Sequence, residues 1–172
     1  MVNGIPGRMG MGLAQAVVNR WGNDALLPFG LTGSDPNIPN TVSLPDSSGS
    51  VVEMIPPSSR EEGWERAKAY ASEKNKSIVA IDFTHPDAAV ENVEFYARNE
   101  VPFVMGTTGG DAETMESLVD AHRGAYAVIA PNMGIPIVLF QAMIESAAST
   151  FPGALKGYGI EVVESHQKGK AD

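Results

Sequence analysis

A chain of 172 residues with 43% hydrophobic residues and a mean hydropathy of −0.08 can bury a core, enough for one domain plus part of another; no apolar run reaches the roughly 18 residues of a membrane span. Net charge of −9, with no Lys/Arg cluster before the last five residues, excludes a nucleic-acid surface, which has to neutralise many phosphates. The absence of cysteine removes disulfides, thiolate–zinc sites and thiol nucleophiles together, as suits a reducing compartment, and His85, His122 and His166 show no metal-ligand spacing, so no metal is expected.

Gly4-Ile5-Pro6-Gly7-Arg8-Met9-Gly10 is a glycine-rich turn opening a helix, the arrangement that offers unpaired N–H groups and a positive helix end to a dinucleotide pyrophosphate. Only Met1-Val2-Asn3 precede it, where a launching strand has about 5–6 residues, so the first strand is expected to be clipped. No signal or transit segment leads in, which points to the cytoplasm, or to a plastid for a plant or algal chain lacking its transit peptide. Met9, Leu13, Ala16, Val17 and Trp21 fall on one helical face. Residues 25–32 read as a second strand spoiled by Pro28, and 33–49 as a turn-rich segment containing a short strand. Residues 51–55 read as a strand, and 60–74 as a helix with Trp64, Ala67 and Ala71 aligned.

From Ile78 the alternation of strand and helix is regular. Residues 78–83 are nearly all apolar, as a parallel strand covered on both faces should be, and end in Thr84-His85-Pro86 before a helix carrying Ala89, Val93, Tyr96 and Ala97. Strand 101–105 runs into Gly106-Thr107-Thr108-Gly109-Gly110, a helix follows with Met115, Leu118 and Val119, and strand 125–130 ends in Pro131-Asn132-Met133-Gly134. These loops lie at carboxyl ends of strands, where an open α/β sheet binds its ligand. Residues 136–151 read as an apolar helix and 158–164 as an alternating strand outside the parallel series. The expected architecture is an α/β Rossmann-type parallel sheet with helices on both faces over residues 1–134, then the incomplete start of a second α+β substrate domain over 135–172.

Gly4-x-x-Gly7-Arg8-Met9-Gly10, Asp82-Phe83-Thr84, Gly106-Thr107-Thr108-Gly109, Ala130-Pro131-Asn132-Met133 and Glu164-Ser165-His166-Gln167-x-x-Lys170-x-Asp172 occur in one order along the chain. In this the sequence resembles the 4-hydroxy-tetrahydrodipicolinate (dihydrodipicolinate) reductases of lysine biosynthesis via diaminopimelate. Gln167 stands where bacterial members usually carry a second histidine, so the plant-type branch is the nearer match. The resemblance implies NAD(P)H-dependent reduction of 4-hydroxy-tetrahydrodipicolinate, a small dicarboxylate, to tetrahydrodipicolinate, in a homo-oligomer when full length. It implies that His166 and Lys170 deliver the proton, and that Gln167, Thr108 and Lys170 hold the substrate. Gly106, Thr107, Thr108, Ala130, Pro131, Asn132 and Met133 would surround the nicotinamide, Phe83 would lie against the cofactor, and Gly4, Ile5, Pro6, Gly7, Arg8 and Met9 would take its pyrophosphate and adenosine end.

Plainer readings stand beside these. Thr107 and Thr108 could cap the following helix, a task that suits Asp111 better; Lys168 and Lys170 could be a solvated pair; Trp21 and Trp64 are core or interface aromatics. His85 would lie near the cofactor without chemistry, and His122 would compensate a helix end. Thr32-Gly33-Ser34 occupy the second strand's tip, where an NAD-selecting acid usually stands, and Arg8 is near enough to meet a 2′-phosphate. NADPH is therefore expected to serve at least as well as NADH. The competing functions are another two-domain Rossmann reductase and a non-catalytic dinucleotide-binding fragment.

Overall fold

The computed structural model describes residues 1–45, 49–122, 124–130, 132–163 and 165, and divides the chain into two compact units, residues 1–131 and 132–172. In the first unit, strands β1 (Val2–Asn3) and β2 (Phe29–Leu31) are followed by β3 (Thr41–Ser43) and β4 (Val51–Ile55), then β5 (Ala80–Asp82), β6 (Phe103–Met105) and β7 (Ala127–Ile129). Four of them form a parallel sheet in the order β1-β5-β6-β7, with Val2 opposite Ile81, Ile81 opposite Val104 and Val104 opposite Val128. A three-stranded sheet, β2-β4-β3, pairs β2 parallel and β3 antiparallel to β4. The two sheets meet edge to edge at β1 and β2, where the Leu31 N–H donates to Asn3 Oδ1 at 2.7 Å and the Gly4 N–H reaches Leu31 O at 3.5 Å.

Alternate residues of one strand enter opposite cores, as the two-residue repeat of a strand requires. Val52 and Met54 join Val2, Ile5, Ala14, Val17 and Val18 on one face, where helix α1 (Arg8–Trp21) packs. Ile55 joins Phe29, Leu31, Phe103 and Met105 on the other, against α2 (Arg60–Glu73), α3 (Ala89–Arg98) and α4 (Ala112–Ala121) through Trp64, Ala67, Val93, Tyr96 and Met115. The expected sheet with helices on both faces is present. Strand 51–55 and the short strand inside 33–49 fall where the sequence places them. The second strand is shorter than expected because Pro28 has no N–H to contribute, although its carbonyl still accepts from the Glu53 N–H at 3.0 Å.

Two expectations need correction. The buried face of α1 is Gly10, Ala14, Val17 and Val18 rather than the stripe through Met9 and Trp21, which are 56% and 68% exposed. A Cβ on Gly10 would lie 2.6 Å from the Gly4 carbonyl, so it is backbone contact at the turn that sets the helix's rotation. In the second unit, α5 (Ile135–Thr150) forms as expected, but residues 158–163 are not a strand; Glu164, the last residue of that expected strand, lies outside the described residues. A strand takes its hydrogen bonds from a neighbour, and among the described residues the second unit holds none. Its chain passes instead through turns closed by Phe151 O, Gly153 O and Leu155 O.

Candidate functional site

A cleft of about 660 Å³ opens at the carboxyl ends of β1, β2 and β5, lined by Gly4 to Gly7, Leu31 to Asp35, and Phe83 to His85. The β1–α1 turn is pressed onto the β5 exit. Gly4 has φ +92°, and a Cβ there would lie 2.2 Å from Phe83 O. Gly7 ends this turn as the N-cap of α1; no side chain caps the helix and its first turn carries no acidic residue. The opening N–H groups of any helix lack intrahelical partners and its dipole is positive there, so this end suits an anion beside the cleft.

At the tip of β2, Thr32 is buried and its N–H donates to Ile55 O at 3.0 Å, while Gly33, Ser34 and Asp35 continue along the cleft. The Asp35 carboxylate is already engaged, accepting from the Asn37 N–H and side-chain amide at 2.9 and 2.8 Å. Arg60, the first residue of α2, also lines the cleft and is only 9% exposed. Its Nη1 donates to Glu91 Oε1 at 3.0 Å, and its guanidinium lies 5.5 Å from the centre of the Phe95 ring. Sequence reading treated Arg60 only as a helix start. Its signal was its place directly after the exit of β4, beside the β2 tip.

Below the cleft, the fully buried Asp82 carboxylate at the end of β5 collects donors from three elements. Oδ1 accepts from the Thr84 N–H (3.1 Å), the Thr84 hydroxyl (2.7 Å) and the Thr107 hydroxyl (2.9 Å); Oδ2 accepts from Asn92 Nδ2 (3.0 Å) and the Tyr96 hydroxyl (2.5 Å). Asn3 Nδ2 in turn donates to the Tyr96 oxygen at 2.6 Å. Burial, then the Asp82 charge, pushes the Tyr96 phenol well above its usual range. The sign follows: the unfolded chain releases this proton near pH 10 and the folded chain does not, so stability is intact below pH 10 and falls as pH rises past it. Spectrophotometric titration should show the Tyr96 phenol ionising only as the chain unfolds; its ionisation in the folded chain would contradict this.

The anticipated residues separate into groups. Ile5 is buried in the core, whereas Pro6, Gly7, Arg8 and Met9 are exposed around the start of α1. The Phe83 ring lies against Gly106, where a Cβ would come within 2.2 Å of it, and the Gly106 N–H donates to Asp82 O at 2.9 Å. Thr107 is buried and joined to Asp82, Thr108 is partly exposed, and the Ala130 N–H donates to Met105 O at 3.0 Å. Asp111, not either threonine, caps α4, accepting from the Thr114 N–H at 2.8 Å. His85 lines the cleft and His122 ends α4. Asn132 and Met133 belong to the second unit. Pro131, His166, Gln167 and Lys170 lie outside the described residues. Among the described residues no group of three His, Asp or Glu could hold a metal ion, and no helix is long and apolar enough to cross a membrane.

Residues 1–133 match the family model described as "Dihydrodipicolinate reductase, N-terminus". The whole chain aligns at 37% identity with 46% of the length of 4-hydroxy-tetrahydrodipicolinate reductase 1, chloroplastic, of Arabidopsis thaliana. It aligns at 38% identity with 50% of the probable 4-hydroxy-tetrahydrodipicolinate reductase 2, chloroplastic, of Oryza sativa subsp. japonica. A shorter stretch, 56% of the chain, is 41% identical to 37% of the 4-hydroxy-tetrahydrodipicolinate reductase of Methanoregula boonei. The chain thus spans about half the length of the plant relatives it matches. With a parallel sheet, a glycine turn and a cleft in the order its motifs require, the chain belongs to the dihydrodipicolinate reductase family.

Proposed function

We propose that the chain is the cofactor-binding part of an NAD(P)H-dependent reductase that converts 4-hydroxy-tetrahydrodipicolinate to tetrahydrodipicolinate, with residues 135–172 beginning its substrate domain. The observation that carries this is topological. β1 lies between β2, reached by the first crossover, and β5, reached later, so the strand order reverses at the uncapped start of α1, and such switch points are where open α/β sheets hold nucleotides. The cleft there is within the range of small-molecule sites, about 300–1,000 Å³, and its glycine turn leaves room for a pyrophosphate.

The cofactor supplies the hydride; the chain's residues bind, orient and protonate. Gly4, Ile5, Pro6, Gly7, Arg8 and Met9 receive the pyrophosphate and adenosine end, with Phe83 beside them. Gly106, Thr107, Thr108 and residues 130–133 hold the nicotinamide. Gln167, Thr108 and Lys170 bind the dicarboxylate, and His166 and Lys170 place a proton beside the reduced carbon, Lys170 also balancing a carboxylate charge. Arg60 lines the cleft next to the acid-free β2 tip Thr32-Gly33-Ser34, which supports NADPH as at least the equal of NADH. The complete protein is a homo-oligomer of the cytoplasm, or of a plastid.

Titrating residues 1–172 with each reduced cofactor tests the binding half, with NADPH expected to bind as tightly as NADH or tighter. Binding of neither would overturn the reading. Joined to the carboxyl-terminal half of the Arabidopsis relative, the chain should oxidise NADPH only when substrate is present. Lys170→Ala should then lower turnover about a hundredfold, the low end for loss of a positioned acid, with cofactor affinity unchanged. Unaltered turnover would remove Lys170 from the chemistry.

A further inference from the structure

At the amino ends of β5 and β6, the opposite end of the sheet from the cleft, a second cavity of about 570 Å³ is lined by Trp64, Lys68, Ile78, Val79, Glu100 and Val101 among others. Trp64 stands in its wall with an unmet requirement. The side chain is 3% exposed, and its indole Nε1–H, which can only donate, has no hydrogen-bond partner. The core cluster that the ring joins is apolar, with the Phe95 ring edge-on at 5.8 Å, and offers it no acceptor. Buried N–H groups in folded proteins are paired, because leaving one unpaired is costly, so the acceptor for this one comes from the cavity.

The cavity also has a cation beside that donor. Lys68, four residues on and so on the same face of α2, carries its ammonium 5.7 Å from the centre of the Trp64 ring. Its partner is Glu65 Oε1 at 2.7 Å, an ion pair within the helix surface whose members are 44% and 70% exposed; such pairs are weak and exchange readily. A lone donor next to an exchangeable ammonium is the recognition set of a carboxylate. Ile78, Val79 and Val101 add apolar wall, and Glu100 sets a limit, since a second carboxylate in the same cavity would meet a like charge.

We infer that this cavity binds a small monocarboxylate. One carboxylate oxygen accepts from Trp64 Nε1–H, the Lys68 ammonium turns from Glu65 to the bound carboxylate, and an aliphatic stem lies on Ile78, Val79 and Val101. The site shares no lining residue with the cleft, does not rest on the reductase reading, and is not a second seat for a dicarboxylate.

The probe is sodium butyrate, added to residues 1–172 carrying ¹⁵N-labelled tryptophan. The chain has two tryptophans. The Trp64 indole proton should move downfield and saturate, with half-saturation on the order of 1–10 mM for so small a ligand, while Trp21, 68% exposed, stays in place. Butanol and butylammonium, which keep the stem without the carboxylate, should leave Trp64 unmoved, and glutarate should bind at least about fivefold more weakly than butyrate. Lys68→Gln should weaken butyrate about tenfold. Glu65→Gln, which removes the competing carboxylate, should tighten it about two- to threefold, a gain that a merely structural role for the helix surface does not give. Both substitutions are at exposed positions, so the test does not depend on a core variant folding. The inference is overturned if butyrate gives no saturable shift, if sodium chloride at equal ionic strength gives the same one, or if both variants bind butyrate as the parent does.

Discussion

Gly4→Ala should destabilise the fold and abolish cofactor binding together. At φ +92° an alanine is strained, and its Cβ would stand 2.2 Å from Phe83 O and 2.7 Å from Phe83 C, both backbone atoms. Neither side can yield easily, since the Phe83 N–H is paired with Asn3 O and the Gly106 N–H with Asp82 O. A strained backbone costs about 1–3 kcal/mol and forced overpacking about 1–3 kcal/mol more. A combined loss of about 4 kcal/mol is a large share of the roughly 5–15 kcal/mol that holds a domain together, and corresponds to a melting shift on the order of 10 °C. Whatever displacement relieves the clash moves the cleft wall as well. Gly12→Ala is the internal control: nothing lies within 4 Å of its Cβ, and alanine in a helix interior should stabilise by about 0.5–1 kcal/mol. A Gly4→Ala chain that melts like its parent and still binds NADPH would show that the turn is neither as tight nor as central as argued.

Asp82→Ala should leave the chain largely unfolded at 37 °C. Five hydrogen bonds to the carboxylate are lost at once; the Thr84 N–H keeps Thr107 Oγ1 and Asn92 Nδ2 keeps Thr84 Oγ1, but the Thr84, Thr107 and Tyr96 hydroxyl protons lose their acceptor. Tyr96 and Thr107 are buried, so their hydroxyls have no water to turn to. Each stranded buried group costs about 1–3 kcal/mol, so a total near 5 kcal/mol is expected, more than twice the effect of Tyr96→Phe, which removes one donor and leaves Asn3 Nδ2 without its acceptor, about 1–2 kcal/mol. Chemical denaturation of the two variants in parallel measures the difference. Equal losses would mean that the carboxylate contributes no more than its tyrosine partner.

The fold was legible wherever burial follows the apolar pattern. Val51-Val52-Glu53-Met54-Ile55 is a strand to the residue, with Val52 and Met54 entering one core and Ile55 the other. Pattern failed where backbone contacts decide. Gly10, which scores as nothing in an apolar count, is the pivot of α1, and the aromatic Trp21 that completed the expected stripe is exposed. For residues 158–163 the alternation was real but insufficient, since a strand exists only with a neighbour to pair. At the site, the glycine turn and the loops after β5 and β6 were visible as motifs. Asp82 was read as the end of an apolar run and as part of the Asp82-Phe83-Thr84 motif, without a role of its own, and Arg60 as the beginning of a helix. Their significance comes from partners 10 to 31 residues away, Asn92 and Glu91 among them, which no local window contains.

The junction between β1 and β2 has a consequence for ligand binding. At that line the two sheets are stitched by one asparagine amide and one long backbone bond of 3.5 Å, not by a regular ladder. Gly4 to Gly7 stand on one bank of this seam and Thr32 to Asp35 on the other. On the reading proposed above, a dinucleotide whose pyrophosphate rested on the first bank and whose adenosine ribose rested on the second would act as a rivet across this seam, tying cofactor occupancy to the cohesion of the two sheets.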